Sequence, residues 1–205
     1  SFLPCTYAAG VIAGEIPAPR QIVRIAERHA AEVLNPPEGY RWEPERWGKV
    51  AEFCAGLSVL NNAGEEVPFN FLPWQHFALG MAVGWVTDGG YPRFREVSIE
   101  VARGAGKTLA VLGWVLYNLT TSKGAQIAVI CKNARHAVTI WGNKTAELVQ
   151  MNDLEIGVTL SNSAPGARCR EQMSHVGFMV PKPGSLQGLT IRPAYILDEF
   201  SEHED

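Results

Sequence analysis

The stretch Val101-Ala102-Arg103-Gly104-Ala105-Gly106-Lys107-Thr108 decides the fold of this chain. Residues 94–101 alternate and are rich in β-branched side chains, which predicts a strand, and residues 107–119 have the apolar pattern of a helix. Gly104 and Gly106 permit positive φ angles and close approach of the backbone to a ligand. A loop of this kind can turn its N–H groups, and the positive end of the helix dipole, toward phosphate oxygens.

The last two residues of the stretch add chemistry to this phosphate-binding prediction. Lys107 can reach the β- and γ-phosphates of a nucleotide, and the Thr108 hydroxyl can bind Mg²⁺. The usual G-x-x-x-x-G-K-[ST] spacing asks for glycine at 101, where this chain has valine. A glycine turn before an ordinary helix is the alternative interpretation; the predicted strand and helix on either side favour phosphate binding.

A second signal lies near the C-terminus, where the apolar run Tyr195-Ile196-Leu197 ends in Asp198-Glu199. Ligands of a parallel sheet bind at the carboxyl ends of its strands, so we expect Asp198 to lie near Thr108. Asp198 could hold the magnesium ion, usually through water, and Glu199 could polarise a water for attack on the γ-phosphate. Taken alone, such a pair also fits a solvated strand end.

A third signal, Pro73-Trp74-Gln75, precedes the loop and opens a predicted helix. The Gln75 amide can hydrogen-bond an adenine edge, and the Trp74 ring can stack on the base. In the absence of a nucleotide site, Trp74 would be a core residue and Gln75 a surface residue.

The rest of the pattern predicts an α/β fold whose mainly parallel sheet has helices on both faces, preceded by an N-terminal helical segment. We expect a helical lead-in over 1–67 and the α/β core over 68–205. Residues 161–170 are polar and predict a loop. The other predicted elements are helices over 19–34, 44–60, 72–87 and 134–151, and strands over 125–131, 156–160, 176–180 and 194–197.

Composition excludes several classes of protein. The net charge is −3 and 46% of the residues are hydrophobic, which is typical of a folded domain and not of a polybasic nucleic-acid coat. Apolar stretches are too short to cross a membrane. Four scattered cysteines predict separate reduced thiols rather than a zinc site, and the five histidines lack metal-ligand spacing, so we interpret them as structural or exposed.

Together these elements resemble the large terminase subunits of tailed bacteriophages, the ATP-driven motors that package DNA. Residues 7–32, 72–108 and 188–199 carry the resemblance, through the order Gln75, Arg103, Lys107, Asp198 and Glu199. The resemblance implies a P-loop ATPase of the additional-strand, catalytic-glutamate class, with ATP and Mg²⁺ as cofactors.

The resemblance also implies a role for each matching residue. Glu199 would be the catalytic base, Asp198 the metal-associated acid and Arg103 a sensor or stabiliser of the γ-phosphate. The residues expected to bind ATP are Trp74, Gln75, Arg103, Gly104, Ala105, Gly106, Lys107 and Thr108, and Thr108 would also bind Mg²⁺.

The family's partners follow from the same resemblance. They are double-stranded DNA, the portal protein, the small terminase subunit and further copies of the chain in a ring, usually a pentamer; no membrane is implied. Such a motor works in the host cytoplasm at the procapsid portal and is not a virion component. We expect the family's nuclease activity to lie in a C-terminal domain beyond Asp205.

Candidate DNA contacts lie in the locally basic stretch 167–192, where Arg168, Arg170, Lys182 and Arg192 stand against Glu171 alone. Lys132 and Arg135 follow a predicted strand and are similar candidates. A solvated loop is the alternative interpretation of the same charges.

Three other functions fit a phosphate-binding loop. A P-loop kinase would need an acceptor pocket, and a helicase core would need a second motor half. A nucleotide-dependent assembly module would bind ATP without significant turnover.

Overall fold

The computed structural model describes residues 3–61, 63–180 and 191–198. In chain order its elements are α1 (Leu3–Ile12), α2 (Arg20–Leu34), β1 (Tyr40–Trp42), α3 (Pro44–Ala55), β2 (Ser58–Leu60), β3 (Glu66–Pro68), α4 (Pro73–Gly84), β4 (Trp85–Thr87), α5 (Lys107–Thr121), β5 (Gln126–Ile130), α6 (Ala134–His136), a π segment (Ala137–Gly142), α7 (Asn143–Met151), β6 (Ile156–Thr159), β7 (Gly166–Cys169), β8 (Ser174–Met179) and β9 (Tyr195–Leu197).

These elements fall into two compact units. The first unit comprises Ser1–Ala55 and Asn70–Lys107, and the second comprises Gly56–Phe69 and Thr108–Asp205. The domains anticipated from the sequence, 1–67 and 68–205, stay predictions.

The first unit is built mainly from helices. Helix α1 packs against α2 and α4, and its buried Ala8 and Val11 join Ala26 and Phe77 in one apolar cluster. Strands β1 and β4 pair antiparallel beside them. Helices α3 and α4 begin at Pro44 and Pro73. Proline is favoured at the first position of a helix, because an N–H there would have no hydrogen-bond partner within the helix.

The second unit contains a five-stranded sheet in the order β6-β7-β8-β5-β9. Strand β5 is buried over Ile127–Ile130, as its short continuous apolar run predicts. It pairs parallel with β8 and β9, whereas β6–β7 and β7–β8 are antiparallel. The described sheet is therefore mixed, and the expectation of a mainly parallel sheet holds only for β8, β5 and β9.

The strand predicted over 94–101 is wrong. Although the sequence alternates there, these residues have no strand assignment and are largely exposed; Val97, for example, is 47% exposed. A β-branched pattern stabilises a strand only when a neighbouring strand takes up its backbone hydrogen bonds and covers one face. The chain therefore enters the glycine loop from a segment that is not part of a sheet.

Three further predictions need correction. The helix expected over 72–87 ends at Gly84, and residues 85–87 form β4, paired with β1. The helix expected over 44–60 ends at Ala55, and residues 58–60 form β2 instead, paired with β3. Residues 166–169 were expected in a loop but form β7, where buried Ala167 and Cys169 alternate with outward Gly166 and Arg168. A four-residue strand with two small buried side chains leaves only a weak period-two signal.

The helix expected over 134–151 is present but interrupted. Residues Ala137–Gly142 form a π segment between α6 and α7, and the N–H of Asn143 donates to Val138, five residues back. In the described residues no helix has the length and apolar character needed to span a membrane. All four cysteines are free thiols, as expected.

Candidate functional site

The glycine-rich loop of the first unit has the backbone conformation that its sequence predicts. Gly104 and Gly106 both have φ of 81°, a region that side-chain-bearing residues rarely adopt. The N–H of Ala105 donates to the Ala102 carbonyl at 3.3 Å, which closes a turn. Nζ of Lys107 donates to the Val101 carbonyl at 3.0 Å and so spans the loop from end to end.

Gln75 holds this loop from the start of α4. Its Nε2 donates to the carbonyls of Ala105 at 3.4 Å and Gly106 at 3.2 Å, and its Oε1 accepts from the Leu72 N–H at 2.8 Å. The side chain is only 4% exposed. Gln75 therefore links the helix start to the loop, a role that sequence reasoning did not include beside its predicted contact with adenine.

The carbonyls bound by Gln75 determine where the neighbouring N–H groups point. In a trans peptide the C=O and N–H lie on opposite sides, so the N–H groups of Gly106 and Lys107 face away from Gln75. A cradle of N–H groups beside a lysine is the arrangement that takes up phosphate oxygens. This side of the loop therefore fits the phosphates of ATP.

The other residues predicted to bind ATP lie as follows. Arg103 is exposed, and Trp74 and Thr108 are half-buried. Thr108 stands in the first turn of α5, next to Lys107. A hydroxyl at this position and a carboxylate such as Asp198 are both oxygen donors, which Mg²⁺ prefers, so the residue types fit the expected metal.

Asp198 follows β9 in the second unit, as predicted. Its N–H donates to the Ile130 carbonyl at the end of β5, at 3.0 Å, which fixes the backbone at the carboxyl end of two parallel strands. Its Oδ2 accepts from the indole Nε1 of Trp141 at 2.7 Å and lies 3.2 Å from Nε2 of His136. The carboxylate is 14% exposed.

Sequence reasoning missed His136 and Trp141. Neither lies in a recognisable motif, and the histidine was interpreted as structural or exposed. The π segment brings both side chains to Asp198. The apolar pattern of 134–151 gives no indication of that segment. Nearby, burial and the negative charge of Asp198 raise the pKa of the Cys131 thiol to about 12.

The basic residues of the second unit form a row across its sheet. Arg168 pairs with His175, His175 pairs with Gln126, and a bridge joins Gln126 to Arg192. Side chains on directly opposed residues share one face of a sheet. A cavity of about 310 Å³ lies at this face, lined by Arg168, Arg170, Met173 and His175.

Two predicted residues lie outside the described residues. These are Glu199, the expected catalytic base, and Lys182 of the basic stretch. Their roles stay predictions.

A comparison with known protein families matches part of the chain. Residues 73–165, which include Gln75, the glycine loop, α5 and β5, match the family described as terminase large subunit, ATPase domain. No curated protein and no solved structure matches the chain significantly. The loop geometry and the family match agree on the same residues, and we conclude that residues 73–165 belong to the terminase large subunit ATPase-domain family.

Proposed function

We propose that this chain is the ATP-hydrolysing motor domain of a viral large terminase, which drives double-stranded DNA into a preformed capsid. The observation that carries the proposal is the loop over 101–108, where two glycines at positive φ and Lys107 form a phosphate cradle within the matched family segment. A cradle alone would fit many nucleotide-binding proteins; the family match narrows the choice to a packaging ATPase.

The proposed site uses the residues that the sequence pointed to. Lys107 and the loop N–H groups hold the phosphates, Arg103 responds to the γ-phosphate, and Gln75 and Trp74 bind adenine. Thr108 and Asp198 would hold Mg²⁺. When bound, Mg²⁺ neutralises charge on the phosphates.

Hydrolysis requires a base that activates water, and we propose Glu199 for this step. It directly follows Asp198 in the chain. A carboxylate beside the metal-associated acid favours transfer to water over transfer to an organic acceptor. This feature separates the proposed hydrolase from a kinase.

We also propose that the basic row of the second unit contacts the DNA backbone. Arg168, Arg170 and Arg192 are exposed, and the cross-strand register places Arg168 beside His175. Cations spaced along a sheet face can contact successive phosphates without reading sequence. The portal protein, the small subunit and a ring of further copies would complete the motor at the procapsid in the host cytoplasm.

Phosphate release tests the reaction class. Purified protein is incubated with MgATP and no acceptor, over a range of protein concentrations, with and without duplex DNA. We expect inorganic phosphate to appear. The turnover per chain should rise with DNA and with protein concentration, because a neighbouring subunit can supply a transition-state arginine.

Two results would replace this proposal. Tight ATP binding with no phosphate release under any of these conditions would favour the assembly module. Phosphate transfer only after an acceptor is added would favour a kinase.

The DNA surface has its own test. Binding of duplex DNA is measured against salt concentration for wild type, Arg168→Ala/Arg170→Ala and the matched surface control Lys144→Ala, whose side chain is exposed on α7. Each lost phosphate contact should reduce the slope of log affinity against log salt by about 0.9. An unchanged slope in the double variant would place the DNA elsewhere.

A further inference from the structure

The carboxylate of Asp198 is held by two side chains from one helical segment. Trp141 Nε1 donates to Oδ2 at 2.7 Å, and His136 Nε2 lies 3.2 Å from the same oxygen. The two side chains converge on a single oxygen of the residue to which we assign the metal-associated role.

The π segment explains how both side chains reach Asp198. Residues 136 and 141 are five apart, and at about 100° per residue an α-helix would turn them about 140° away from each other. A π segment closes its hydrogen bonds over five residues, as the Asn143 to Val138 bond does, and so brings residues five apart onto one face. π segments inside α-helices are frequent at functional sites.

The Trp141 side chain and the His136 backbone are both held by their surroundings. The Trp141 side chain is 1% exposed, and its ring lies 6.1 Å from the Phe178 ring of β8. His136 stands in the turn whose first residue, Asn133, accepts its N–H at 2.8 Å. A buried donor such as the Trp141 indole fixes the orientation of the carboxylate it binds.

We propose that Trp141 and His136 are positioning residues that orient the Asp198 carboxylate for the metal of the ATP site. The inference rests on the proposed function, since it needs Asp198 to be the metal-associated acid. Hydrogen bonds to a metal-associated carboxylate typically change metal affinity or activity 10- to 100-fold when they are lost. A merely structural bond would change stability and leave metal affinity alone.

The test measures metal affinity without turnover. Mn²⁺ is titrated into the full chain in the presence of a non-hydrolysable ATP analogue, and free Mn²⁺ is followed by its electron paramagnetic resonance signal. We expect Trp141→Phe and His136→Leu each to weaken Mn²⁺ binding about 10-fold or more, and His136→Gln, which keeps a donor, to restore most of it.

The matched control is Trp85→Phe, in the first unit. Trp85 is also 1% exposed and its indole also donates to a titratable side chain, Nδ1 of His29, at 3.1 Å. The substitution removes the same donor at a site without a proposed metal role. We expect it to lower stability and to leave Mn²⁺ affinity unchanged.

Asp198→Asn separates this inference from the proposed function. If Asp198→Asn binds Mn²⁺ as tightly as wild type, the metal role of Asp198 fails and the positioning role falls with it. If Asp198→Asn weakens Mn²⁺ binding but Trp141→Phe and His136→Leu do not, the positioning role alone is overturned.

The double variant gives a second test. Trp141→Phe should not weaken Mn²⁺ binding further in the Asp198→Asn background, because it acts through that carboxylate. An additive effect would also overturn the positioning role. Should Trp141→Phe fail to fold, the His136 pair decides the question.

Discussion

The two units of this chain use the same donor for different purposes. In the first unit the indole N–H of Trp47 donates to His76 at 3.0 Å and that of Trp85 donates to His29 at 3.1 Å. In the second unit the indole N–H of Trp141 donates to Asp198 at 2.7 Å. Buried tryptophans need a partner for this group in any fold, so the partner, not the donor, distinguishes a packing contact from a site.

The surroundings of the acceptors support this distinction. Around His29, Trp42, Phe77 and Trp85 form edge contacts with the imidazole ring, and burial lowers the pKa of the histidine. The carboxylate of Asp198 instead stands at the end of β9, where a sheet of this type binds ligands. The predictions below test whether the aromatic contacts around His29 affect stability and the residues of the proposed ATP site affect binding and catalysis.

The largest effect is expected at Lys107, which belongs to the proposed ATP site and not to the buried aromatic contacts. Lys107→Ala removes the cation that would contact the phosphates and should reduce ATP turnover by at least about 100-fold. Lys144→Ala, an exposed lysine of α7, should retain wild-type turnover. Phosphate release under saturating MgATP checks both. Equal activity of the two variants would remove the loop from the reaction.

The next effect concerns packing in the first unit. Trp85→Phe leaves Nδ1 of His29, which is 3% exposed, without its donor. We expect the free energy of unfolding to fall by about 1–3 kcal/mol, the cost of an unsatisfied buried polar group. Urea denaturation measures it. If the urea midpoint of Trp85→Phe equals that of wild type, the hydrogen bond between Trp85 and His29 contributes nothing to stability.

A smaller effect is expected in the loop, where two glycines form a matched pair. Both have φ of 81°, but a Cβ at Gly106 would lie 2.9 Å from Gln75 Nε2, whereas one at Gly104 meets nothing within 4 Å. Gly106→Ala should therefore weaken ATP binding about 10-fold more than Gly104→Ala, since about 1.4 kcal/mol corresponds to one decade. Calorimetric titration with ATP compares the two. Equal affinities would show that Gln75 does not control the loop.

The smallest effect is a pH dependence in the first unit. Burial lowers the pKa of His29 and of His76 from the ordinary 6.5, so below pH 6.5 the unfolded chain binds more protons than the folded one. Stability should therefore fall as the pH decreases from 6.5 toward the folded-state values, and should be unaffected by these groups above it. Glu32, whose pKa is lowered chiefly by its hydrogen bonds with Arg93, titrates in a separate window below 4.5.

Urea denaturation at pH 7.5, 6.5 and 5.5 measures this dependence. His29→Asn keeps an acceptor for Trp85 but cannot titrate, so its stability should fall less steeply with acid. If wild type and His29→Asn lose stability equally between pH 6.5 and 5.5, His29 is not the responsible group.

Local patterns predicted much of the fold. The helix after the loop, the buried strand at 126–130 and the apolar strand ending in Asp198 follow from apolar runs and from glycine, and all three are present. The strand expected over 94–101 failed because alternation shows which residues could line one face, but not whether another strand pairs with them. That information is non-local.

The site shows the same limit. The glycine conformations at 104 and 106 could be predicted because only glycine adopts such angles freely. The contacts of Asp198 with Trp141 and His136 could not, since they depend on one extra residue in a helical turn and on the sheet register that brings Asp198 beside Ile130. Gln75 was singled out from sequence, but its bonds to the loop carbonyls required the structure.

The central claim is that the loop over 101–108 and the acidic residues 198–199 act on one ATP molecule. Single-turnover phosphate release and ATP-analogue binding, measured together on Glu199→Gln and Lys107→Ala, test it most directly. We predict that Glu199→Gln binds the analogue like wild type but releases no phosphate, while Lys107→Ala neither binds tightly nor hydrolyses. Wild-type phosphate release by Glu199→Gln would contradict the claim.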